Sequence, residues 1–233
     1  MKFWIVLITT TLMGCGRVGF VSDGQLAPEK KQTDPNPIPE PLPPSFQPLL
    51  WEAVKSDGAK WSKYTYGLLA NEAKSIVEKS GDMNVFCPRY LQLNQIQKLN
   101  VAAMLISAIT KYESNFEPTA RMQETGLGTD PITGKTVVSE GLLQLSYQDM
   151  IGRSYCRFDW NKDKGLGENS PLKSILDPYL NLECGLRILA EQIDKYGSLI
   201  IEHGNYWAVI RKNGKYQKIR EISALVQGLE YCN

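Results

Sequence analysis

Residues 91–116 of the 233-residue chain read LQLNQIQKLNVAAMLISAITKYESNF, and this stretch decides the fold. Its apolar side chains recur at three- and four-residue steps, the period of a helix with one face in a core. The positions are Leu99, Ala102, Ala103, Ile106 and Ile109. The next position on that face is Glu113, so we expect a core helix that ends near a carboxylate partly shielded from water.

The shielding of Glu113 has a chemical consequence. Burial raises the pKa of a carboxyl group because the charged form loses its solvent. A carboxylic acid that keeps its proton near neutral pH can serve as a general acid and, once deprotonated, as a base. The alternative is a glutamate that turns to solvent or pairs with Lys111 or Arg121. Periodicity alone favours this alternative, so the choice depends on the neighbouring motifs.

Further helical patterns lie on both sides of this stretch. Residues 61–79 and residues 216–229 each have apolar side chains at helical spacing. Asp177 and Pro178 suit the N-cap and first position of another helix, which Gly197 closes.

The segment between Met122 and Val138 differs from the helical regions. It combines glycines and an Asp-Pro pair, which are typical of turns, with the β-branched run that ends at Val138. A small β-hairpin fits this composition. The predicted fold class is therefore mainly α with a small β-hairpin.

The first fifteen residues, MKFWIVLITTTLMGC, are typical of an export signal. One basic residue precedes an apolar run that is too short to span a membrane stably. The ending Leu-Met-Gly-Cys resembles the bacterial lipobox, which implies a signal peptide over residues 1–14 and acylation of Cys15. The alternative is an ordinary signal peptide in which Cys15 is incidental. We expect an exported lipoprotein on the periplasmic face, with a preference for the outer membrane because Gly16, not an aspartate, follows the cysteine.

Residues 28–48, PEKKQTDPNPIPEPLPPSFQP, are rich in proline and nearly free of large apolar side chains. Such a sequence favours extended polyproline II and cannot build a core. We therefore expect a tether over residues 15–48 and one domain over residues 49–233, which is long enough to bury a substantial core. The tether would hold the domain away from a membrane; a leader without a role is the alternative.

The charge of the exported chain gives no indication of a polyanionic partner. Removal of Lys2 with the signal leaves 25 basic residues (26 minus 1) against 25 acidic residues. A balanced chain of this kind does not suggest nucleic-acid binding.

The cysteines indicate disulfides. Four remain once Cys15 is assigned to lipid, and an even number in an oxidising compartment predicts two bridges. Of the three possible pairings we favour Cys156 with Cys184, which closes a loop, and Cys87 with Cys232, which fastens the C-terminus. The chain has no Cys-x-x-Cys and a single histidine, so we expect no metal site and no cofactor.

Three short motifs follow one another along the helical region. Glu113 begins Glu-Ser-Asn-Phe, Gly141 begins Gly-Leu-Leu-Gln, and Asn181 begins Asn-Leu-Glu-Cys-Gly. In this order they resemble the Glu-Ser, Gly-Leu-Met-Gln and Asn-x-x-x-Gly motifs of soluble lytic transglycosylases and goose-type lysozymes. The resemblance covers about residues 91–207 and implies a lysozyme-like α+β domain.

The resemblance also implies roles for individual residues. Glu113 matches the catalytic acid/base, and Ser114 matches the residue that supports it. Gln144 matches the glutamine that lines the sugar groove, and Gly141 would let the backbone approach the substrate closely. The family's Ala-Tyr-Asn motif is missing. Tyr206 stands in its place and would supply the hydroxyl that reaches the catalytic glutamate, unless it is a core or groove-wall aromatic.

The implied substrate is peptidoglycan, whose glycan strands would be cleaved between N-acetylmuramic acid and N-acetylglucosamine. In a lytic transglycosylase, which we favour, Glu113 next removes the proton of the muramyl C6 hydroxyl and an anhydro ring closes. In a hydrolytic muramidase, a second carboxylate positions water instead. A non-catalytic wall-binding lipoprotein is a third hypothesis.

Three residues are candidates for a second carboxylate. Glu140 is preferred because it borders the motif at Gly141, and an outward-facing charge is its alternative. Glu124 and Asp130 in the hairpin are the others. Goose-type lysozymes have an acidic residue where this chain has Ser146, which weakens the hydrolase hypothesis.

Overall fold

The computed structural model describes residues 46–233; the predicted signal peptide, Cys15 and the tether up to residue 45 lie outside the described residues. The described chain is mostly helical and carries a two-stranded antiparallel sheet, which confirms the predicted fold class. The helices are α1 (Gly58–Ala70), α2 (Ser75–Glu78), α3 (Gln95–Ser114), α4 (Trp160–Asp163), α5 (Pro178–Tyr196) and α6 (Ile219–Val226), and the strands are β1 (Arg121–Gln123) and β2 (Val138–Glu140). Short 3₁₀ turns occupy Leu50–Ala53, Met83–Val85, Tyr90–Gln92, Tyr147–Met150, Ser174–Leu176, Ala208–Ile210 and Glu230–Cys232.

The helix predicted from the opening stretch is α3, and it forms the centre of the core. The side chain of Asn94 accepts a hydrogen bond from the backbone of Gln97, whose side chain accepts one from the backbone of Asn94. This reciprocal capping box fixes the start of the helix. Every residue from 100 to 110 is buried, because α1, α6 and other elements pack around α3. The middle of the helix is therefore buried on all sides, not only along the predicted stripe, whereas its first two residues and Lys111 are exposed.

The single helix predicted over residues 61–79 is wrong, because α1 and α2 occupy this region as two separate helices. The chain leaves the helical conformation at Asn71, whose side-chain amide donates to the carbonyl of Gly67 at 2.9 Å. Asparagine favours such breaks because its side chain competes with the backbone for hydrogen bonds. The helix predicted over residues 216–229 is also shorter, since α6 covers Ile219–Val226.

The predicted start and end of α5 are confirmed. The side chain of Asp177 accepts hydrogen bonds from the backbone N–H groups of Tyr179 and Leu180 at 2.9 and 3.0 Å. Pro178 occupies the first turn, where its missing N–H costs nothing. Gly197 ends the helix in the left-handed region, at φ 66°.

Two buried disulfides fasten the periphery to the core. Cys87–Cys232 holds the C-terminus beside the segment between α2 and α3, and Cys156–Cys184 holds the segment before α4 against α5. This is the pairing favoured from the sequence.

The described chain begins on the surface of the domain. The ring of Phe46 lies 4.2 Å from that of Tyr66, and Gln47 exchanges two hydrogen bonds with the side chain of Asn100.

None of the helices between residues 46 and 233 combines the length and the apolar character needed to cross a membrane.

Candidate active site

Glu113 lies in the last turn of α3 and is partly buried. Its Oε1 is shielded from solvent and has no hydrogen-bond partner among the described residues. Burial, reinforced by the negative charge of Glu124, raises the pKa of Glu113 to about 7. A carboxyl group with this pKa holds its proton in a substantial fraction of molecules at neutral pH, as a general acid requires. The alternative of a pair with Arg121 is not formed, because Arg121 contacts Glu140 and Glu168.

The chain turns sharply directly after Glu113. Asn115 and Phe116 both adopt left-handed backbone conformations, at φ 50° and 63°. Such conformations are strained for non-glycine residues and persist only where the surroundings hold them. The buried ring of Phe116 packs edge-to-face on Trp51, with 6.5 Å between ring centroids. This contact anchors the turn that leaves Glu113 at the end of its helix.

Ser114 supports this turn through the backbone. Its buried hydroxyl donates to the carbonyl of Thr110, one turn earlier in α3, at 3.2 Å. Ser114 thus stabilises the last helical turn and does not hydrogen-bond to the carboxyl group of Glu113.

The hairpin presents different side chains on its two faces. Arg121 pairs with Glu140 and Met122 with Ser139 in the antiparallel register. Because side chains alternate along strands, Ser139 points to the face opposite Glu140. On that face, the hydroxyl of Ser139 donates to Oε1 of Glu124 at 2.8 Å. Glu124 is therefore held in place, and it is the carboxylate whose charge acts on Glu113.

Glu140, the preferred second carboxylate, has a different environment. Its side chain is 3% exposed, and its Oε1 accepts from Nε of Arg121 at 2.8 Å and from Nζ of Lys173 at 3.2 Å. Two cations thus neutralise the carboxylate of Glu140, which lies on the face of the hairpin opposite Ser139. The geometry consequently favours Glu124 over Glu140 beside Glu113.

Asp130, the remaining candidate, shapes the hairpin loop. It is buried, and its oxygens accept from the backbone N–H groups of Ile132, Thr133 and Gln148 at 2.8 to 3.1 Å. These three backbone donors hold the carboxylate of Asp130 in the turn, so Asp130 shapes the hairpin loop. Between residues 46 and 233, no three His, Cys, Asp or Glu side chains are grouped to hold a metal ion.

The structure explains the glycine at position 141 differently from the sequence-based expectation. Gly141 has φ 82°, and a Cβ at this position would lie 2.3 Å from Nδ2 of Asn181. Asn181 donates to the carbonyls of Glu140 and Ile175, both at 3.0 Å, and accepts from the N–H of Leu143 at 2.8 Å. The glycine is required because an α5 side chain, not a substrate, occupies the space beside it. Asn181 therefore fixes the second motif to the third.

Gln144 ties the second motif to the first. It adopts φ 50°, and its side-chain amide donates to the carbonyls of Gly141 at 2.9 Å and Ala120 at 3.2 Å. The N–H of Gly141 also donates to Ala120, at 2.9 Å. These bonds hold the Gly141–Gln144 loop against the chain that connects Glu113 to β1.

Of the two expectations for Tyr206, the one that gives its hydroxyl to Glu113 is not met, because the hydroxyl is bound elsewhere. The Tyr206 hydroxyl donates to Oδ2 of Asp149 at 2.6 Å, and burial raises the pKa of Tyr206 well above 10. Asp149 also accepts from the backbone and the hydroxyl of Ser146. The motifs do not point to this buried carboxylate, although Ser-x-x-Asp over residues 146–149 is a recognisable capping pattern. The neighbouring Trp207 donates to the carbonyl of Leu143 at 2.9 Å, which helps to hold the second motif.

Comparison with known proteins finds one matching family and several similar solved structures. The transglycosylase SLT domain family matches residues 91–223. No curated protein has a significantly similar sequence. The solved structure of Bd0314 DslA, wild-type form 2, superimposes with a TM-score of 0.64 at 29% sequence identity, covering 79% of this chain and 97% of DslA. Two glutamate-to-glutamine variants of DslA, altered at its positions 143 and 154, also match at 29% identity with a TM-score of 0.64. One covers 80% of this chain and 98% of its own, the other 79% and 97%.

Proposed function

Because the chain belongs to the transglycosylase SLT family of peptidoglycan-cleaving enzymes, we propose that it breaks the β-1,4 bond between N-acetylmuramic acid and N-acetylglucosamine, with Glu113 as general acid and base. The observation that carries this proposal is the Glu113 carboxyl group at the end of α3. Its pKa is raised to about 7, and its Oε1 has no partner in the described chain. Such a group keeps its proton in a substantial fraction of molecules at neutral pH, as donation to a substrate requires.

In the proposed reaction, the protonated Glu113 gives its proton to the glycosidic oxygen as the bond to the muramyl C1 breaks. The muramyl ring passes through an oxocarbenium-like state. The Glu113 carboxylate then removes the proton of the C6 hydroxyl, whose oxygen bonds to C1 and closes a 1,6-anhydro ring. Glu113 ends the cycle protonated, as it began.

A specific observation also supports a second candidate, hydrolysis. The two altered glutamates of DslA are eleven residues apart (154 minus 143), and Glu113 and Glu124 have the same spacing (124 minus 113). Glu124 is held by Ser139 and acts on Glu113 through its charge. A second carboxylate in this position could activate a water molecule, which would then replace the C6 hydroxyl as the nucleophile.

The products of peptidoglycan digestion distinguish these functions. Purified sacculi would be incubated with residues 46–233, and the released fragments would be weighed by mass spectrometry. We expect 1,6-anhydro ends; hydrolysis would give reducing ends that are heavier by one water. Release of neither product, with binding to sacculi retained, would instead support the non-catalytic hypothesis. The Glu113→Gln variant should release nothing, and undiminished release would show that the acid is misassigned.

We also propose that the enzyme is an exported lipoprotein anchored through Cys15, with the outer membrane as its destination. The lipobox ending of the first fifteen residues and the proline-rich tether support this proposal. The test is metabolic labelling with a fatty acid followed by membrane fractionation. Cys15→Ala should abolish labelling and membrane association, and persistent labelling would contradict the assignment.

A further inference from the structure

Strand β1 has little packing of its own to fix it. It is three residues long, and none of its side chains is fully buried. A cavity of about 310 Å³ lies against one face of the hairpin, and its lining includes Arg121 and Gln123 of β1 and Val138 and Glu140 of β2. A short two-stranded hairpin is only marginally stable by itself. Contacts beyond the ladder are therefore needed to hold β1 in place.

The two strands are attached to the core in different ways. Glu140 of β2 exchanges two backbone hydrogen bonds with Leu145. β1 follows Ala120, whose carbonyl is bonded to the Gly141–Gln144 loop, and beyond this point the strand is anchored through a side chain, that of Arg121. Nε of Arg121 donates at 2.8 Å to Oε1 of Glu140, the residue directly opposite in the ladder. Glu140 therefore links β1 to a strand that is fixed in the core.

Glu140 is shared by two cations. The same oxygen, Oε1, also accepts from Nζ of Lys173, a buried lysine in the segment before α5. Removal of one partner from a buried ion pair is strongly destabilising, because the charge that stays behind is uncompensated. Without the carboxylate, Arg121 and Lys173 would repel each other, and a movement of β1 away from Lys173 would relieve that repulsion.

The other charges around this cavity do not replace Glu140. Glu168 is exposed and accepts from Nη1 of Arg121 at 2.9 Å. Burial and neighbouring carboxylates raise the pKa of Tyr147, so its hydroxyl stays neutral near neutral pH. Within residues 46–233, the ion pairs of Glu140 are those with Arg121 and Lys173. The remaining charged side chains of the lining are held by other groups: Asp130 by three backbone N–H groups, Asp163 by Tyr147 and Ser174, Lys164 by Asn161, and Lys135 by the ring of Trp160.

The position of β1 matters because Glu124 follows it directly. The backbone N–H of Glu124 donates to the carbonyl of Val137 at 2.9 Å, which continues the ladder one step beyond β1. Because side chains alternate along a strand, Glu124 lies on the face opposite Arg121. The charge of Glu124 acts on Glu113, so a movement of β1 would be felt at the candidate acid.

We propose that Glu140 is a positioning residue, which holds β1 so that Glu124 stays beside Glu113. Arg121 and Lys173 are the contacts through which it acts, since one belongs to β1 and the other to the segment before α5. The inference rests on the proposed function, in which Glu113 is the acid. It gives Glu140 a role that acts through another residue, in place of the role of a second carboxylate.

The pKa of Glu113 reports the position of Glu124 and tests this proposal. It would be measured by NMR titration of the side-chain carboxyl carbons in the ¹³C-glutamate-labelled protein. Glu140→Gln keeps the shape but removes the charge, and should lower the pKa of Glu113 by about half a unit as Glu124 moves away. Glu168→Gln removes the exposed partner of Arg121 and is the matched control, which should leave that pKa unchanged. An unchanged pKa in Glu140→Gln would overturn the proposal, even if that variant were less stable.

The effect of Glu140→Gln should depend on Glu124. In a Glu124→Gln background, Glu140→Gln should change the pKa of Glu113 by less than about half of its effect in the parent. A larger change in that background would overturn the proposal, because Glu140 would then act on Glu113 without Glu124.

Arg121→Gln is a second variant in case Glu140→Gln does not fold, since Arg121 is only partly buried and Glu140 keeps Lys173 as a partner. Removal of a cation by itself raises the pKa of a nearby carboxyl group, whereas displacement of Glu124 lowers that of Glu113. A lower pKa supports the proposal, and a higher or unchanged one would overturn it. If the pKa shifts as expected but the parent cleaves no peptidoglycan, the proposed function fails and the positioning role stands.

Discussion

The negative charge of Glu124 raises the pKa of Glu113, as the second cause after burial itself. The two residues belong to different elements, the end of α3 and the chain that follows β1, and the bond from Ser139 keeps Glu124 in place. Two interacting carboxyl groups with different environments can perform different roles, one donating a proton and the other remaining charged.

Glu124→Gln should therefore shift the pH dependence of cleavage. Removal of the neighbouring charge lowers the pKa of Glu113, so the alkaline limb of the activity profile should move to lower pH by about half a unit to one unit. Initial rates between pH 4 and pH 9 measure the shift. Glu117→Gln, which alters an exposed carboxylate paired with Lys55, is the matched control and should leave the limb in place. An identical profile for Glu124→Gln would show that its charge does not act on Glu113.

The raised pKa of Glu113 also predicts a pH-dependent stability. Below about pH 4.5 the group is protonated in both the folded and unfolded states and contributes no difference. As pH rises from 4.5 to 7, the unfolded chain loses this proton first, so the folded state loses stability by about 2–3 kcal/mol. Glu113→Gln should therefore be more stable than the parent at pH 8 by about that amount, and equally stable at pH 4.

Urea unfolding at the two pH values measures this difference. The comparison with Glu117→Gln is informative because Lys55 lowers the pKa of Glu117. Its carboxylate stabilises the folded state above its unfolded pKa, so this variant should be slightly less stable than the parent at pH 8. If the stability of Glu113→Gln relative to the parent were lower at pH 8 than at pH 4, the burial of Glu113 would be contradicted.

Local sequence signals were sufficient for the elements that depend on nearby residues. The cap at Asp177, the closing Gly197 and the apolar period before Glu113 all act within one or two helical turns, and they located α5 and the end of α3. The break at Asn71 was missed because the apolar pattern continues across it.

The second carboxylate could not be chosen from local signals. Glu140 and Glu124 are both close to the hairpin, and only the register of β1 and β2 decides which face each occupies. A shift of one residue would exchange the faces. The hydrogen-bond partner of Tyr206 could not be predicted from local sequence either, because Asp149 is 57 residues away in the chain. Contacts of this kind depend on the assembled core.

The two disulfides should contribute unequally to stability. Cys87–Cys232 spans 145 residues and Cys156–Cys184 spans 28, and a longer loop loses more conformational entropy in the unfolded chain when it is closed. Replacement of the first pair by serines should cost about 5 kcal/mol and replacement of the second about 3.6 kcal/mol. Urea denaturation of the two double variants measures both values. A larger loss for the shorter loop would mean that local packing outweighs the entropic contribution.

Gly141 and Asn181 should be strongly coupled in stability. Gly141→Ala introduces a Cβ 2.3 Å from Nδ2 of Asn181, at a backbone φ of 82° that disfavours alanine. Asn181→Ala leaves the carbonyls of Glu140 and Ile175 and the N–H of Leu143 without this partner, and should cost about 2–4 kcal/mol. In the double variant the clash is relieved, so its loss should be smaller than the sum of the single losses by about 1 kcal/mol or more.

A double-mutant cycle by urea unfolding measures this coupling. Gly126→Ala is the matched control, because no atom lies within 4 Å of a Cβ placed there, and its effect should simply add to that of Asn181→Ala. Additive losses for Gly141→Ala and Asn181→Ala would mean that the backbone conformation of Gly141, and not the approach of Asn181, requires the glycine. Gly141→Ala and Asn181→Ala should also lose peptidoglycan cleavage at temperatures where they remain folded, since the Gly141–Gln144 loop is bound to the chain that follows Glu113.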